Sequence, residues 1–151
     1  MKLRCEIATQ DKLLFEGDVD IVLAPAEGGE IGILPNHTPL LTKLDYGVLK
    51  VRHEAGEELF TVYGGILEAR PDKVIVLADV GERIEEIDFE RAESARRRAE
   101  NLLRQIPFSN AEEYSAVEAA LRRSRMRLEA VRHFRGRRSP PPTRDIIEET
   151  D

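Results

Sequence analysis

Gly29-Glu30-Ile31-Gly32-Ile33-Leu34-Pro35-Asn36-His37-Thr38-Pro39-Leu40-Leu41-Thr42 cannot lie inside a helix. Pro35 and Pro39 each fix their own φ and push the preceding residue toward extended backbone. Yet Ile31, Ile33, Leu34, Leu40 and Leu41 make the stretch too apolar for a solvated loop. A strand, a sharp exposed turn around Asn36-His37 and a second strand satisfy both constraints.

Working outward from this stretch, a period of two holds up to about Glu85. Leu3, Cys5 and Ile7 alternate, as do Val19, Ile21 and Leu23, then Leu49 and Val51, then Phe60 and Val62. The apolar run at residues 74–78 is bounded by Pro71-Asp72 and Asp79. No helical stretch separates these segments, as parallel crossovers would require, so they predict an antiparallel sandwich or barrel.

At Asp88 the period changes. Ala92, Ala95, Ala99, Leu102 and Ile106 recur every three or four residues behind Asp88 as N-cap, and Pro107 marks the exit. Ser109 and Glu112 form a capping-box pattern, after which Tyr114, Val117, Leu121, Ser124, Leu128 and Val131 repeat the spacing. These segments predict an antiparallel helical hairpin. Its seam of small residues lets the backbones approach but buries little apolar area, so the hairpin is expected to be marginal alone. The expected layout is α+β: a β-sandwich over residues 1–86, a helical hairpin over 87–135, and a Pro-rich tail over 136–151 expected to be disordered.

The chain has 151 residues, and its hydrophobic fraction of 41% is enough for a core. A formal charge of −6 argues against nucleic acid as a main partner, although arginines concentrated after Arg83 leave room for a local basic face. No apolar run approaches the roughly 18 residues that a membrane span needs, and the N-terminus alternates like a strand with no secretory layout. The single cysteine, Cys5, excludes an internal disulfide, and its alternation places it in the core. His37, His53 and His133 fall in different elements, which argues against a metal site. Neither a Gly-rich phosphate loop nor an activated nucleophile is evident, so no enzyme is expected.

The opening stretch, together with Gly64-Gly65-Ile66-Leu67-Glu68 and the strand at residues 74–79, resembles the epsilon-subunit family of the F-type rotary ATP synthase, bacterial type. The resemblance covers most of the first 85 residues. It implies a non-catalytic central-stalk subunit, peripheral on the cytoplasmic face of the bacterial inner membrane. The β domain would grip the gamma subunit and the membrane rotor ring of proton-carrying subunits. The hairpin would permit ATP hydrolysis when folded and inhibit it when extended toward the alpha and beta catalytic subunits.

No cofactor is required by this resemblance, but ATP enters as a regulatory ligand. The segment Ile87-Asp88-Phe89-Glu90-Arg91-Ala92 is similar to the family's ATP-binding pattern. On that basis Glu82, Ile87, Asp88 and Ala92 would lie near the adenine and ribose, and Arg91 near the phosphates. Arg123 and Arg127, one helical turn apart, would add guanidinium forks suited to phosphate oxygens; either Arg96 or Arg98 could supply a further contact. From the residues alone the plainer account is that Asp88 caps its helix and the arginines pair with Glu90, Glu93 and Glu100. The resemblance also places Glu30 and His37 at the ring contact, where the bland account is an exposed turn. It sets Arg122, Arg125 and Arg132 against an acidic loop of the beta subunit, where the bland account is a solvated helix face. Two other functions fit these residues: the same subunit inhibiting mechanically without sensing nucleotide, or a free-standing β-sandwich adaptor.

Overall fold

The computed structural model describes residues 2–137. Eight strands form one folded-over sheet: β1 (Leu3–Ala8), β2 (Leu13–Val19), β3 (Ile21–Ala26), β4 (Gly29–Ile33), β5 (Leu40–His53), β6 (Gly56–Ala69), β7 (Lys73–Ala78) and β8 (Gly81–Arg83). A 3-10 turn at Ile84–Glu86 leads into α1 (Phe89–Gln105) and α2 (Ala111–Arg137). The opening stretch is the expected strand, turn and strand. It comprises β4, a turn in which Asn36 takes φ 67°, and the start of β5.

The strand order is β2-β1-β7-β6-β5-β3-β4, with β8 paired to β6 outside that path. All neighbours are antiparallel except β1 and β7, which run parallel. The sheet is therefore mixed; five intervening strands supply the long connection that a parallel pair needs. The two long strands β5 and β6 carry the chain from one layer of the sandwich to the other. Their pairing keeps one register throughout and skips only Asp45 opposite Gly64, where Gly64 takes φ 81° and Gly65 φ 126°. A Cβ on Gly65 would stand 2.2 Å from the Leu77 carbonyl oxygen, so only glycine allows this corner to close.

The sandwich core contains Leu3, Cys5, Ile7, Phe60, Val62 and Val76 among its fully buried side chains. The alternation expected for Val19, Ile21 and Leu23 changes phase at Asp20. Val19, Val22 and Ala24 are fully buried, whereas Ile21 and Leu23 are only half-buried. The physical reason is a break in the chain: β2 ends at Val19, the Asp20 amide donates to the Arg52 carbonyl, and β3 starts a new register. Burial raises the Cys5 thiol to about 12, which leaves it an inert core group.

Asp88 caps α1 as expected, its Oδ1 accepting from the Arg91 amide at 3.1 Å. The cap of α2 sits one residue later than expected. Asn110, not Ser109, accepts from the Glu113 amide, and Glu113 answers through the Asn110 side-chain amide at 2.7 Å. Asn110 is as good a cap as serine and can also donate to the carboxylate, which Ser109 at this offset does not. Of the hairpin seam, Ala92, Ala99, Leu121, Ser124, Leu128 and Val131 are buried, while Leu102 remains 48% exposed. The hairpin lies against the sandwich through a second, smaller cluster of Ile84, Ile87, Ala92, Leu128, Ala130 and Val131. Of the tail expected over 136–151, residues 138–151 lie outside the described residues, and α2 runs to Arg137.

Candidate functional site

β6 carries four consecutive buried residues, Phe60, Thr61, Val62 and Tyr63, where a strand with one wet face would alternate. Phe60 and Val62 belong to the sandwich core. Thr61 and Tyr63 point to the other face and are buried there because α2 covers it. Their hydroxyls donate to the same oxygen, Glu82 Oε1, at 3.2 and 3.1 Å. Arg127 of α2 closes the network as a fork, with Nε donating to Glu82 Oε1 at 2.5 Å and Nη2 to Oε2 at 2.7 Å. A half-buried carboxylate thus accepts from four donors, two from the sheet and two from the hairpin. The Glu82 hydrogen bonds hold the Arg127 guanidinium firmly charged, and burial pushes the Tyr63 phenol well above its ordinary range.

A second tie lies on the other side of α2. Arg122 stacks over the Tyr46 ring at 4.5 Å and reaches Asp45 at 3.7 Å. Tyr46 meets Tyr63 edge to face at 5.6 Å, so the two ties share one aromatic hinge.

Glu82 and Arg127, both expected at the nucleotide, bind each other. Ile87 and Ala92 are buried in the hairpin cluster, and Asp88 is committed to its cap. Arg91 is exposed and Arg123 half-buried; among the described residues neither has an ion-pair partner within 4 Å. Arg96 is held by Glu93 and Glu100, on the hairpin itself. Arg122 and Arg125 have partners within the chain, the latter at 3.5 Å from Glu100, whereas Arg132 is exposed. Glu30 is exposed on β4, and His37 sits in the turn with Nδ1 at 2.6 Å from the Thr38 carbonyl oxygen.

Two domain families divide the described chain at this same place. The ATP synthase Delta/Epsilon chain beta-sandwich domain matches residues 2–84, and the ATP synthase Delta/Epsilon chain long alpha-helix domain matches residues 85–132. The chain belongs to the ATP synthase delta/epsilon family. It is 45% identical over 132 residues to the ATP synthase epsilon chain of Dehalococcoides mccartyi, covering 86% of this chain and 92% of that one. It is 46% identical over 130 residues to the epsilon chain of Moorella thermoacetica, covering 85% and 96%. In fold it resembles a chain of the Euglena gracilis mitochondrial ATP synthase with a TM-score of 0.64 at 21% identity, covering 90% of this chain and 81% of that chain.

Within this delta/epsilon chain, Thr61, Tyr63 and Tyr46 are the site residues that sequence reading missed. The available signal was the unbroken run at residues 60–63. A strand buried on both faces requires a second covering layer, and its polar members then need partners. No helix among the described residues is long and apolar enough to cross a membrane, and no His, Cys, Asp and Glu group among them is arranged to hold a metal ion.

Proposed function

We propose that this chain is the non-catalytic epsilon subunit in the central stalk of an F-type ATP synthase, and that its hairpin is a nucleotide-sensing switch. In this reading the sandwich grips the gamma subunit and the membrane rotor ring, with Glu30 and His37 at the ring contact. The folded hairpin permits ATP hydrolysis. The extended one presents Arg122, Arg125 and Arg132 to an acidic surface of the catalytic subunits and blocks it.

The observation that carries the switch is the Glu82–Arg127 fork. It joins the last strand of the sheet to α2 at residues where the family resemblance puts the nucleotide. A folded hairpin held by this fork, the Arg122–Tyr46 tie and one small apolar cluster can be biased by a ligand of modest affinity. ATP at a thousandfold excess over its dissociation constant contributes ~4 kcal/mol to whichever form binds it. Arg91 and Arg123 supply phosphate forks with no ion-pair partner to displace among the described residues, and the first turn of α1 offers amides to an anion.

Isothermal titration of ATP into the isolated chain, with ADP as control, tests this reading. The expected result is saturable, ATP-selective heat that weakens at least about tenfold in Arg127→Ala and in Arg91→Ala. No heat at millimolar ATP overturns nucleotide sensing and leaves the fork as a mechanical latch.

A further inference from the structure

Asp45 is the one residue of β5 that the ladder to β6 skips. Released from the ladder, its Oδ1 accepts from the Tyr46 amide at 2.8 Å, and the carboxylate is held exposed at the corner. Arg122 of α2 meets this pair twice. Its guanidinium carbon lies 4.5 Å from the Tyr46 ring centroid, and Nη2 lies 3.7 Å from the same Oδ1. Open cavities of about 580 and 320 Å³ run along α2 here, both bordered by Tyr46, Met126 and Glu129. The helix is thus loosely packed against β5, and Arg122 bridges the gap. We propose that Asp45 and Tyr46 mask Arg122 in the folded hairpin, withholding it from the acidic surface of the catalytic subunits until α2 undocks.

Three observations carry the mask, which rests on the switch reading above for its consequence. First, of the three arginines assigned to that surface, Arg122 is the one with ion-pair and ring partners on the sandwich among the described residues. Arg125 pairs with Glu100 of α1, and Arg132 is exposed. Undocking α2 therefore strips Arg122 of both contacts in one step, because the ring and the carboxylate stay with the sheet. Second, the corner offers the guanidinium the anion that an acidic surface offers, and adds a ring against its face. One cation cannot serve both surfaces, so the folded and extended states compete for it. Third, the corner is set before the hairpin arrives. Asp45 is held by a backbone amide, and Tyr46 by its edge-to-face contact with Tyr63 at 5.6 Å, so little order is lost when Arg122 docks. The Arg122 and Asp45 side chains stay 63% and 58% exposed, which keeps the mask weak enough to release. Contacts of this kind shift a folded–extended balance about two- to fivefold.

Hydrogen exchange in the isolated full-length chain tests the contact, and ATP hydrolysis by the reconstituted enzyme tests the mask. Asp45→Asn/Tyr46→Leu and Arg122→Gln are each expected to speed exchange in α2 about two- to fivefold, with β1 and β7 unchanged. Combining them should add nothing further, since one contact can be lost only once. Asp45→Asn alone keeps the bond to the Tyr46 amide and carries the same signs should the double variant loosen the sheet. In the enzyme the two variants should part. Asp45→Asn/Tyr46→Leu frees Arg122 and deepens inhibition, whereas Arg122→Gln removes the mask and the inhibitory contact together, so hydrolysis does not fall. Additive exchange effects, or hydrolysis that falls alike in both variants, overturn the proposal. Hydrolysis unmoved by either variant overturns the mask alone if deletion from Asp88 onward still relieves inhibition. If that deletion has no effect either, the switch reading falls with it.

Discussion

Gly65 shows how much of this fold hangs on one backbone conformation. Its φ of 126° is closed to ordinary side chains, and an added methyl group would overlap the Leu77 carbonyl at 2.2 Å. Gly65→Ala is expected to lose at least about 2 kcal/mol in urea unfolding, because both the strain and the overlap fall on the native state. Glu58 is a different kind of control point. Burial alone would raise its carboxyl; hydrogen bonds from Arg83 and His53 outweigh this and hold it below the usual range. A carboxyl with a lowered folded-state value stabilises the fold above its unfolded value, and that stability is lost as pH falls through the folded value. Glu58→Gln should therefore cost about 1 kcal/mol near neutral pH, discounted for its partial exposure, with the deficit vanishing as pH falls through the lowered folded-state value. Thermal denaturation across pH 3–8 checks this, and a deficit that grows in acid would refute it.

Among the elements, the hairpin separates what the sequence discloses from what only packing decides. The strand-turn-strand at residues 29–42, the Asp88 cap and the α2 seam at Leu121, Ser124, Leu128 and Val131 follow from local rules and stand as expected. The phase change at Asp20 and the shift of a cap from Ser109 to Asn110 did not, since both depend on where the chain turns and not on period. At the site, Glu82 and Arg127 were singled out only by the family resemblance, as nucleotide contacts. Their direct pairing, and the hydroxyls of Thr61 and Tyr63 beneath it, were not legible, because the run at residues 60–63 signals a covering layer without saying which element supplies it. Leu128→Ala removes the largest α2 side chain from the small cluster at the hairpin root. It should cost 2–4 kcal/mol of local stability. Hydrogen exchange should speed up in α2 by a corresponding factor and stay unchanged in β1, β6 and β7. Equal acceleration in the sheet would mean that hairpin and sandwich open together.

For the molecule as a whole, the decisive property is that its two cores do not overlap. The sandwich core holds no residue after Ala78, and the hairpin cluster begins at Ile84. Removing everything from Asp88 onward leaves the first core complete and uncovers Tyr46, Thr61, Tyr63, Glu82 and the apolar root at Val48, Leu59, Ile84 and Ile87. Glu82 still accepts from two hydroxyls and gains water, so no unsatisfied buried charge is created. The truncated chain is therefore expected to stay soluble and to unfold in one cooperative transition. Its m-value should be smaller, because less surface is exposed on unfolding. On the proposed switch reading, the truncated chain reconstituted with the other stalk subunits should still assemble with gamma, and ATP hydrolysis should rise because nothing is left to extend. Aggregation, or a non-cooperative melt, would make the hairpin part of the fold itself. An intact sandwich whose complex stays inhibited would move the brake out of the helices and into the β domain.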